Sequence, residues 1–406
     1  MGILEFLINL VIFTLPLGAV LRFNIAPNAF LYIQDAIALV VFIACLYLYI
    51  LKKPDVKDRK NIKIIGVFIL WGFISLVINS SILNGQEFII SLSYLIRFAS
   101  YVSLIIAPIF LATKFIKSVN IKLLIGGSVF TLLGYIQYFY YPNLRNLYYL
   151  GWDDHLWRLF STFLDPNFAG AFIVLFLLLI SQNIIVIKKI SKQKLKAGLF
   201  GLLWIAALVA ILLTHSRSAF IMIVVGLATL LTIHRLYKLM FVSIVIILFL
   251  FGIFSNTKIE GLNPFRIASS EARIETAGQA FDIFLKSPII GVGFNSYRYA
   301  QVRYGTRSEI GSSKSNADAG TDNSFLFVLA TTGIFGFLIY VYFWVNLIKT
   351  TYGEIQKGKN FYAPIVLASI VSLFIDAFFI NSLFYAPIMA WVFITIGLME
   401  SKKVMV

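Results

Sequence analysis

The sequence predicts an all-α polytopic membrane protein with about twelve transmembrane helices, both termini cytoplasmic, and a long extracytoplasmic loop before the tenth helix. Three observations predict it. Of the 406 residues 60% are hydrophobic and only 13% charged, against about half and a quarter in soluble domains, which excludes a soluble enzyme. The apolar residues gather in runs of about 20, the length a helix rising ~1.5 Å per residue needs to cross a bilayer. The breaks between runs are alternately rich in lysine, the pattern that sets membrane orientation. The net charge of +16 is therefore read as a topology signal, and no nucleic-acid partner is expected.

Taken in order, the runs are 3–22, 29–51, 62–80, 88–112, 121–141, 168–187, 197–213, 218–234, 239–255, 323–348, 361–380 and 383–399. The first has no basic residue ahead of it and carries Glu5, so it is expected to stay as a span rather than be cleaved as a signal peptide. The breaks 52–61 (KKPDVKDRKN), 113–120, 188–196 (KKISKQKLK), 235–238 and 349–360, with SKK after the last run, are the lysine-rich ones and are assigned to the cytoplasm. Of the opposite breaks, 142–167 and 256–322 exceed a simple turn, and loops of such length usually carry function. Within the second, GSSKSNADAG at 311–320 reads as a flexible loop. The chain divides into N-terminal helices over 1–141, a catalytic-type region over 142–349 and C-terminal helices over 350–406. Cys45 is the single cysteine, so no intrachain disulfide is possible.

The kind of base differs between the two sides. The cytoplasmic ends hold only Arg59 and Arg235 as arginines, whereas Arg22, Arg145, Arg158, Arg217, Arg266, Arg273, Arg298, Arg303 and Arg307 lie on the outer side. Lysine serves topology, but the guanidinium fork matches phosphate, so the outer face is expected to hold an anion. The alternative for any one of these arginines is pairing with an outer acid such as Glu260, Glu271, Glu275 or Asp282. Three charges fall inside runs, Asp35, Arg97 and Asp376, roughly 6 to 14 Å below the outer surface at ~1.5 Å per residue. Intramembrane charges are functional candidates by default, and these imply a polar cavity opening outward; the alternative is a structural ion pair between Asp35 and Arg97.

Four segments carry candidate chemistry. RLFSTFLDPNFAG runs from Arg158 to Gly170, with Asp165-Pro166-Asn167 starting a helix. Thr214-His215-Ser216-Arg217-Ser218 is a short outer turn that places Arg217 near a helix N-terminus, where free N–H groups also favour anions. SSEARIETAGQAFDIFLKSP reads as a surface helix with Ser270 near its N-cap and Pro288 beyond its end, followed by Gly291-Val292-Gly293. Its apolar residues are Ile274, Ala277, Phe281, Phe284 and Leu285, with Glu271, Glu275, Gln279 and Asp282 on a more polar side, so it is expected to lie at the membrane surface over the cavity. TDNSFLFVLATTGIFG then leads from Thr321 into the tenth span. His155, His215 and His234 show no metal-ligand spacing, and neither metal nor cofactor is expected.

In this order and at these membrane positions, the four segments resemble the O-antigen ligase and O-antigen polymerase superfamily of bacterial envelope glycosyltransferases. The resemblance implies a glycan on undecaprenyl diphosphate as substrate, displaced from its lipid by an acceptor hydroxyl on the outer face of the cytoplasmic membrane. It implies that Arg217 and Arg273 hold the diphosphate and that Arg158 and Asn167 line the site; Arg97, His215 and Asn323 complete the substrate-binding candidates. Ligases of the family carry a catalytic histidine just before the asparagine of the last motif, where this chain has Asp322 before Asn323. That difference favours the polymerase branch, with Asp322 as proton acceptor or, alternatively, as a cap of the tenth span. A ligase acting on an acceptor such as lipid A core and a twelve-span transporter are the competing readings. The bilayer is a partner by composition; a flippase and a chain-length regulator are implied by the family alone.

Overall fold

A computed structural model describes residues 2–26, 29–54, 59–150, 152–188, 194–255, 267–306 and 320–401. Its helices are α1 (Gly2–Thr14), α2 (Ile33–Lys52), α3 (Lys60–Ile78), α4 (Gly85–Ile106), α5 (Thr113–Tyr140), α6 (Pro166–Lys188), α7 (Lys194–Thr214), α8 (Arg217–Ile233), α9 (Tyr237–Ser255), α10 (Ile267–Lys286), α11 (Tyr297–Arg303), α12 (Ser324–Lys357), α13 (Ala363–Ala377) and α14 (Ala386–Glu400). Among the described residues, eight helical stretches are long and apolar enough to cross a membrane, and α8, α9, α13 and α14 contribute shorter apolar ones. The chain is an all-α polytopic membrane protein.

Apolar character on every face has a structural reason at the centre of the bundle. Ala169 and Ala171 through Ile180 of α6 are fully buried, and so is nearly every residue of α14 from Ala386 to Met399. A helix that is hydrophobic all round belongs inside protein or lipid, and these two lie inside protein. They meet through Phe172 and Trp391, whose ring centroids are 5.1 Å apart in a T-shaped contact. Being enclosed by other helices, α14 needs no bilayer-length run of its own.

The run 3–22 is a helical stretch over Gly2–Leu21 long enough to span, α-helical to Thr14 and 3-10 over Leu15–Leu21 with Pro16 in its first turn, since proline removes an N–H and crowds the preceding turn. The next run departs from the sequence expectation. The run 29–51 does not begin as helix. Arg22–Ala26 (β1) and Ala29–Tyr32 (β2) form an antiparallel hairpin in which Arg22 pairs with Tyr32 and Phe23 with Leu31. Asp35 is thus in the first turn of α2, where its carboxylate accepts the Tyr32 N–H at 2.8 Å, rather than several residues deep in a span.

The second departure is in α12, which breaks at Gly333 (φ 65°, ψ −172°). A break inside an apolar helix strands carbonyls that lipid cannot satisfy. The turn after α10 satisfies them: Val292 N–H donates to the Ala330 carbonyl at 3.0 Å and Gly293 N–H to Thr331 at 3.1 Å, while Ile334 N–H donates to Pro288 at 2.9 Å. From α3, the Trp71 indole donates to the Thr332 carbonyl at 2.8 Å and Ser75 Oγ to Ile290 at 2.7 Å. The Gly291-Val292-Gly293 turn is therefore locked into the helix break, and this lock holds the C-terminal end of α10.

The helix α10 itself starts at Ile267, so Ser270 lies within it and is not its cap, and Pro288 follows its end as expected. Its buried face is Ala280 and Ile283, while Ile274, Phe281 and Leu285 are exposed. Of the apolar set read from the sequence, Phe284 packs against the core, beside Ala280 and Ile283, while Ile274, Phe281 and Leu285 are on the outer flank. The loop 311–320, except Gly320, and Glu260, Arg266 and Arg307 lie outside the described residues.

Candidate active site

One end of the bundle gathers the N-termini of α6, α8, α12 and α14 and the C-terminus of α13. Each N-terminus presents unpaired backbone N–H groups and a positive dipole end. Local sequence sets three of them. Asp165 accepts the backbone N–H groups of Asn167 (2.7 Å) and Phe168 (3.3 Å) at the start of α6. Ser216 caps α8 by accepting from Ala219 N–H at 3.4 Å. Asn323 caps α12, its Oδ1 accepting from Phe325 at 2.9 Å and Leu326 at 3.0 Å. The cap of the tenth span is thus Asn323 and not Asp322.

Arg158 is brought here by a clamp from α5. Gln137 Oε1 accepts the N–H groups of Phe160 (2.8 Å) and Ser161 (3.0 Å), and its amide donates to the Arg158 carbonyl at 3.2 Å. Buried against the end of α7, the Arg158 guanidinium donates to the Thr214 carbonyl at 2.9 Å and, at 3.4 Å each, to the His215 carbonyl and Asn167 Oδ1. Arg158, Asn167 and His215 are therefore in direct contact, and Arg217 begins α8 two residues beyond His215.

Arg273 reaches the same end from α10, its guanidinium carbon 5.8 Å from the centre of the Phe379 ring. Asp165 lies within electrostatic range of both Arg158 and Arg273. Burial pushes its carboxyl above the ordinary carboxylate range, while its two N–H donors and the two arginines pull it back. Asp376, fully buried near the end of α13, has the Ser218 and Ser382 hydroxyls as polar neighbours and Arg273 and Asp165 within charge range. Neither of its oxygens makes a well-formed hydrogen bond among the described residues. Asn323 joins the group through its amide, 3.4 Å from the Phe378 carbonyl, which places Asp322 one residue from that contact.

Arg97 stands apart from this group. It pairs with Asp35 at 2.9 Å, the ion pair that the sequence offered as its alternative, and stacks near Tyr32 and Tyr94. Asp35 also accepts the Tyr101 hydroxyl at 2.7 Å. Arg22 lies between the rings of Phe30 (4.3 Å) and Trp152 (4.5 Å). Between the two basic groups sits Tyr385, stacked on Phe168 with centroids 4.1 Å apart and within charge range of Asp165, Arg97 and Arg22. Other outer arginines serve structure: Arg145 pairs with Asp154 at 3.2 Å on the exposed loop, and Arg303 donates to the Ile82 carbonyl at 2.9 Å.

Sequence reasoning read Asp165 as a helix start and left Asp376 outside the site set; an acid near the end of an apolar run is the signal that marks Asp376. The contribution of Tyr385 and Phe379 depends on contacts between distant segments and leaves no local signature.

His215 is held neutral. Burial, then the charge of Arg158, lowers its pKa from 6.5 to about 4. The unfolded chain binds this proton first, so stability falls as pH drops from about 6.5 toward 4 and is level above that window. Thermal unfolding of His215→Gln is expected to lose less stability between pH 7.5 and pH 4.5 than the unsubstituted protein; an equal loss in both removes His215 as the source.

Residues 201–341 match a family model described as O-antigen ligase. The match spans Arg217, Arg273, Asp322 and Asn323, the two arginines and the cap that the geometry places at one end of the bundle. It supports the O-antigen ligase and polymerase superfamily and, with the apolar helices, supports a multi-pass membrane enzyme of O-antigen or polysaccharide assembly. No curated protein matches the chain.

Proposed function

We propose that this protein is a glycosyltransferase that polymerises undecaprenyl-diphosphate-linked oligosaccharide repeat units into a surface polysaccharide, working on the outer face of the cytoplasmic membrane. The observation that carries the reading is the seating of Arg158 against Asn167 and the Thr214-His215 turn, where α6 and α8 begin, with Arg273 within electrostatic range of the same end. Guanidinium forks and helix N-termini converging in a half-buried place are what a diphosphate needs.

Arg217 and Arg273 hold the diphosphate of the growing chain, with Arg158 shaping the turn that carries Arg217. The hydroxyl of an incoming repeat unit attacks the anomeric carbon, a carbon–oxygen bond forms to the acceptor, and the bond to the diphosphate breaks with both its electrons leaving on phosphate oxygen. The arginines stabilise that developing charge, usually the largest single contribution to catalysis where charge builds up in the transition state. The hydroxyl proton passes to Asp322, whose carboxylate is not needed for capping because Asn323 performs that task. A flippase supplies the repeat unit and a chain-length regulator sets the end point.

The ligase reading has the family description in its favour; Asp322 in place of the ligase histidine speaks for polymerisation. An electrophoretic size profile of surface and lipid-linked glycan, with and without the gene, separates them. Loss of the ladder with a single repeat unit still reaching its anchor is the expected result. Long polymer stranded on undecaprenyl diphosphate marks a ligase instead, and an unchanged profile excludes both.

A further inference from the structure

Arg22 is the first residue of β1 and directly follows the stretch Gly2–Leu21 that is long enough to cross the membrane. Its guanidinium carbon lies 4.3 Å from the centre of the Phe30 ring and 4.5 Å from that of Trp152, so both flat faces are covered. The rim of the guanidinium stays open: Arg22 is half-buried, and its nitrogens are not enclosed. Among the described residues its side chain makes no hydrogen bond or ion pair, and the groups within charge range of it are Tyr32, Tyr385 and Tyr94, with no carboxylate. Arg97 is compensated on one side only. Asp35 meets its Nε at 2.9 Å, while its terminal nitrogens are not enclosed either. Tyr32 and Tyr385 lie within charge range of both arginines. Two guanidiniums against one carboxylate leave a positive charge uncompensated, and a cation drawn partly out of water without a counter-ion is unfavourable. Such a group marks a place where an anion comes from outside the chain.

We propose that Arg22, with the free edge of Arg97, forms a second phosphate site, which takes the phosphate ester of a lipid head group and is separate from Arg217 and Arg273. A tetrahedral phosphate has oxygens enough for two guanidinium edges, and the planar fork matches their spacing. A carboxylate is served by one fork, and a neutral hydroxyl leaves the charge uncompensated. Depth selects a lipid as the carrier. Arg22 stands at the end of a membrane span, with Trp152, Tyr32 and Tyr94 around the two cations, and tryptophan and tyrosine gather at the level of the head groups. Val20, Phe23 and Ile25, close to Arg22 in sequence, are exposed apolar side chains, which suit the boundary between head groups and acyl chains. Tyr385, stacked on Phe168 near the start of α6, stands between this pair of arginines and Arg158. Two lipids bring a phosphate to this depth: a bilayer phospholipid, and the lipid-linked repeat unit that accepts the growing chain. The second source rests on the polymerase reading; the site itself does not.

Delipidated full-length protein in detergent is titrated with phosphatidylglycerol and, separately, with undecaprenyl diphosphate, and bound lipids are counted by native mass spectrometry. Arg22→Gln keeps a planar group between the rings without the charge. It is expected to weaken one binding event of at least one of the two lipids fivefold or more, whereas Arg217→Ala leaves that event unchanged. An affected phosphatidylglycerol event assigns the phosphate to the bilayer; an affected second undecaprenyl diphosphate assigns it to the acceptor. Full binding of both lipids to Arg22→Gln overturns the site, and so does an event lost equally in Arg22→Gln and Arg217→Ala, which is then the diphosphate site seen again. Where Arg22→Gln misfolds, the unsubstituted protein decides: the event is expected to be absent with diacylglycerol and undecaprenol, the same tails without phosphate, and equal binding of these overturns the proposal. Phosphatidylglycerol held through Arg22 in a protein that binds no undecaprenyl diphosphate upholds this site and sinks the glycosyltransferase reading instead.

Discussion

Arg217→Ala is expected to stop chain growth while leaving the protein in the membrane at its normal level. Arg217 is the first residue of α8, beside the Ser216 cap and one residue before Ser218, which faces Asp376. Its neighbour His215 is neutral at physiological pH, so the turn's cationic charge comes from Arg217 itself. Removing one preorganised donor from a site that stabilises a developing oxyanion costs about 10²–10³ in rate, and loss of a charged fork belongs at the upper end. Arg217→Lys keeps the charge but not the paired donors and is expected to retain a reduced ladder, roughly a tenth of normal. Arg145→Ala is the control: that guanidinium is exposed and pairs with Asp154 within the loop, and its loss is expected to change polymer length and amount by less than about twofold, since exposed ion pairs contribute little. The readout is polymer on a gel beside an immunoblot of the membrane fraction. Normal polymer from Arg217→Ala would remove the arginine from the diphosphate site.

Gly333→Ala is expected to be severely destabilising. At φ 65° Gly333 occupies backbone space that L residues rarely enter, and a Cβ there would stand 2.3 Å from the Ile289 carbonyl oxygen and 2.6 Å from Ile290 N. Those are backbone atoms held by the lock between the turn and the broken helix, so neither side can yield without releasing the Val292 and Gly293 hydrogen bonds. The expected loss is about 4 kcal/mol or more, the range reserved for clashes and broken networks in a core. Gly353→Ala, in the same helix with open space at its Cβ, is expected to be neutral or slightly stabilising. Thermal unfolding followed by fluorescence-detected size exclusion distinguishes them; a Gly333→Ala protein melting within a few degrees of the unsubstituted one would mean that the lock does not hold α10 in place. Because that lock seats the helix carrying Arg273, any Gly333→Ala protein that survives is also expected to lose polymerisation.

The features legible in the amino-acid sequence are local in origin. Run length and composition marked twelve apolar helices because each needs only its own residues to be apolar. Asp165-Pro166 reads as a helix start because a cap bonds to an N–H two or three residues on, and the gathering of arginines outside the lysine-rich breaks needs no fold to be seen. Long-range packing set the remaining features. The hairpin before α2 was hidden in a continuous apolar run, where strand and helix look alike. The break in α12 exists because a turn some 40 residues earlier supplies N–H groups to its stranded carbonyls, a partnership no local pattern encodes. The inward face of α10, at Ala280 and Ile283, was chosen by what lies beneath it, which a periodicity that counts apolar residues cannot single out. The gathering of Arg158, Arg273, Asp165 and Asp376 is of the same kind: four charges from three segments, each legible alone as a cap, a loop base or an intramembrane acid, become a candidate site only when helix packing brings them to one end of the bundle.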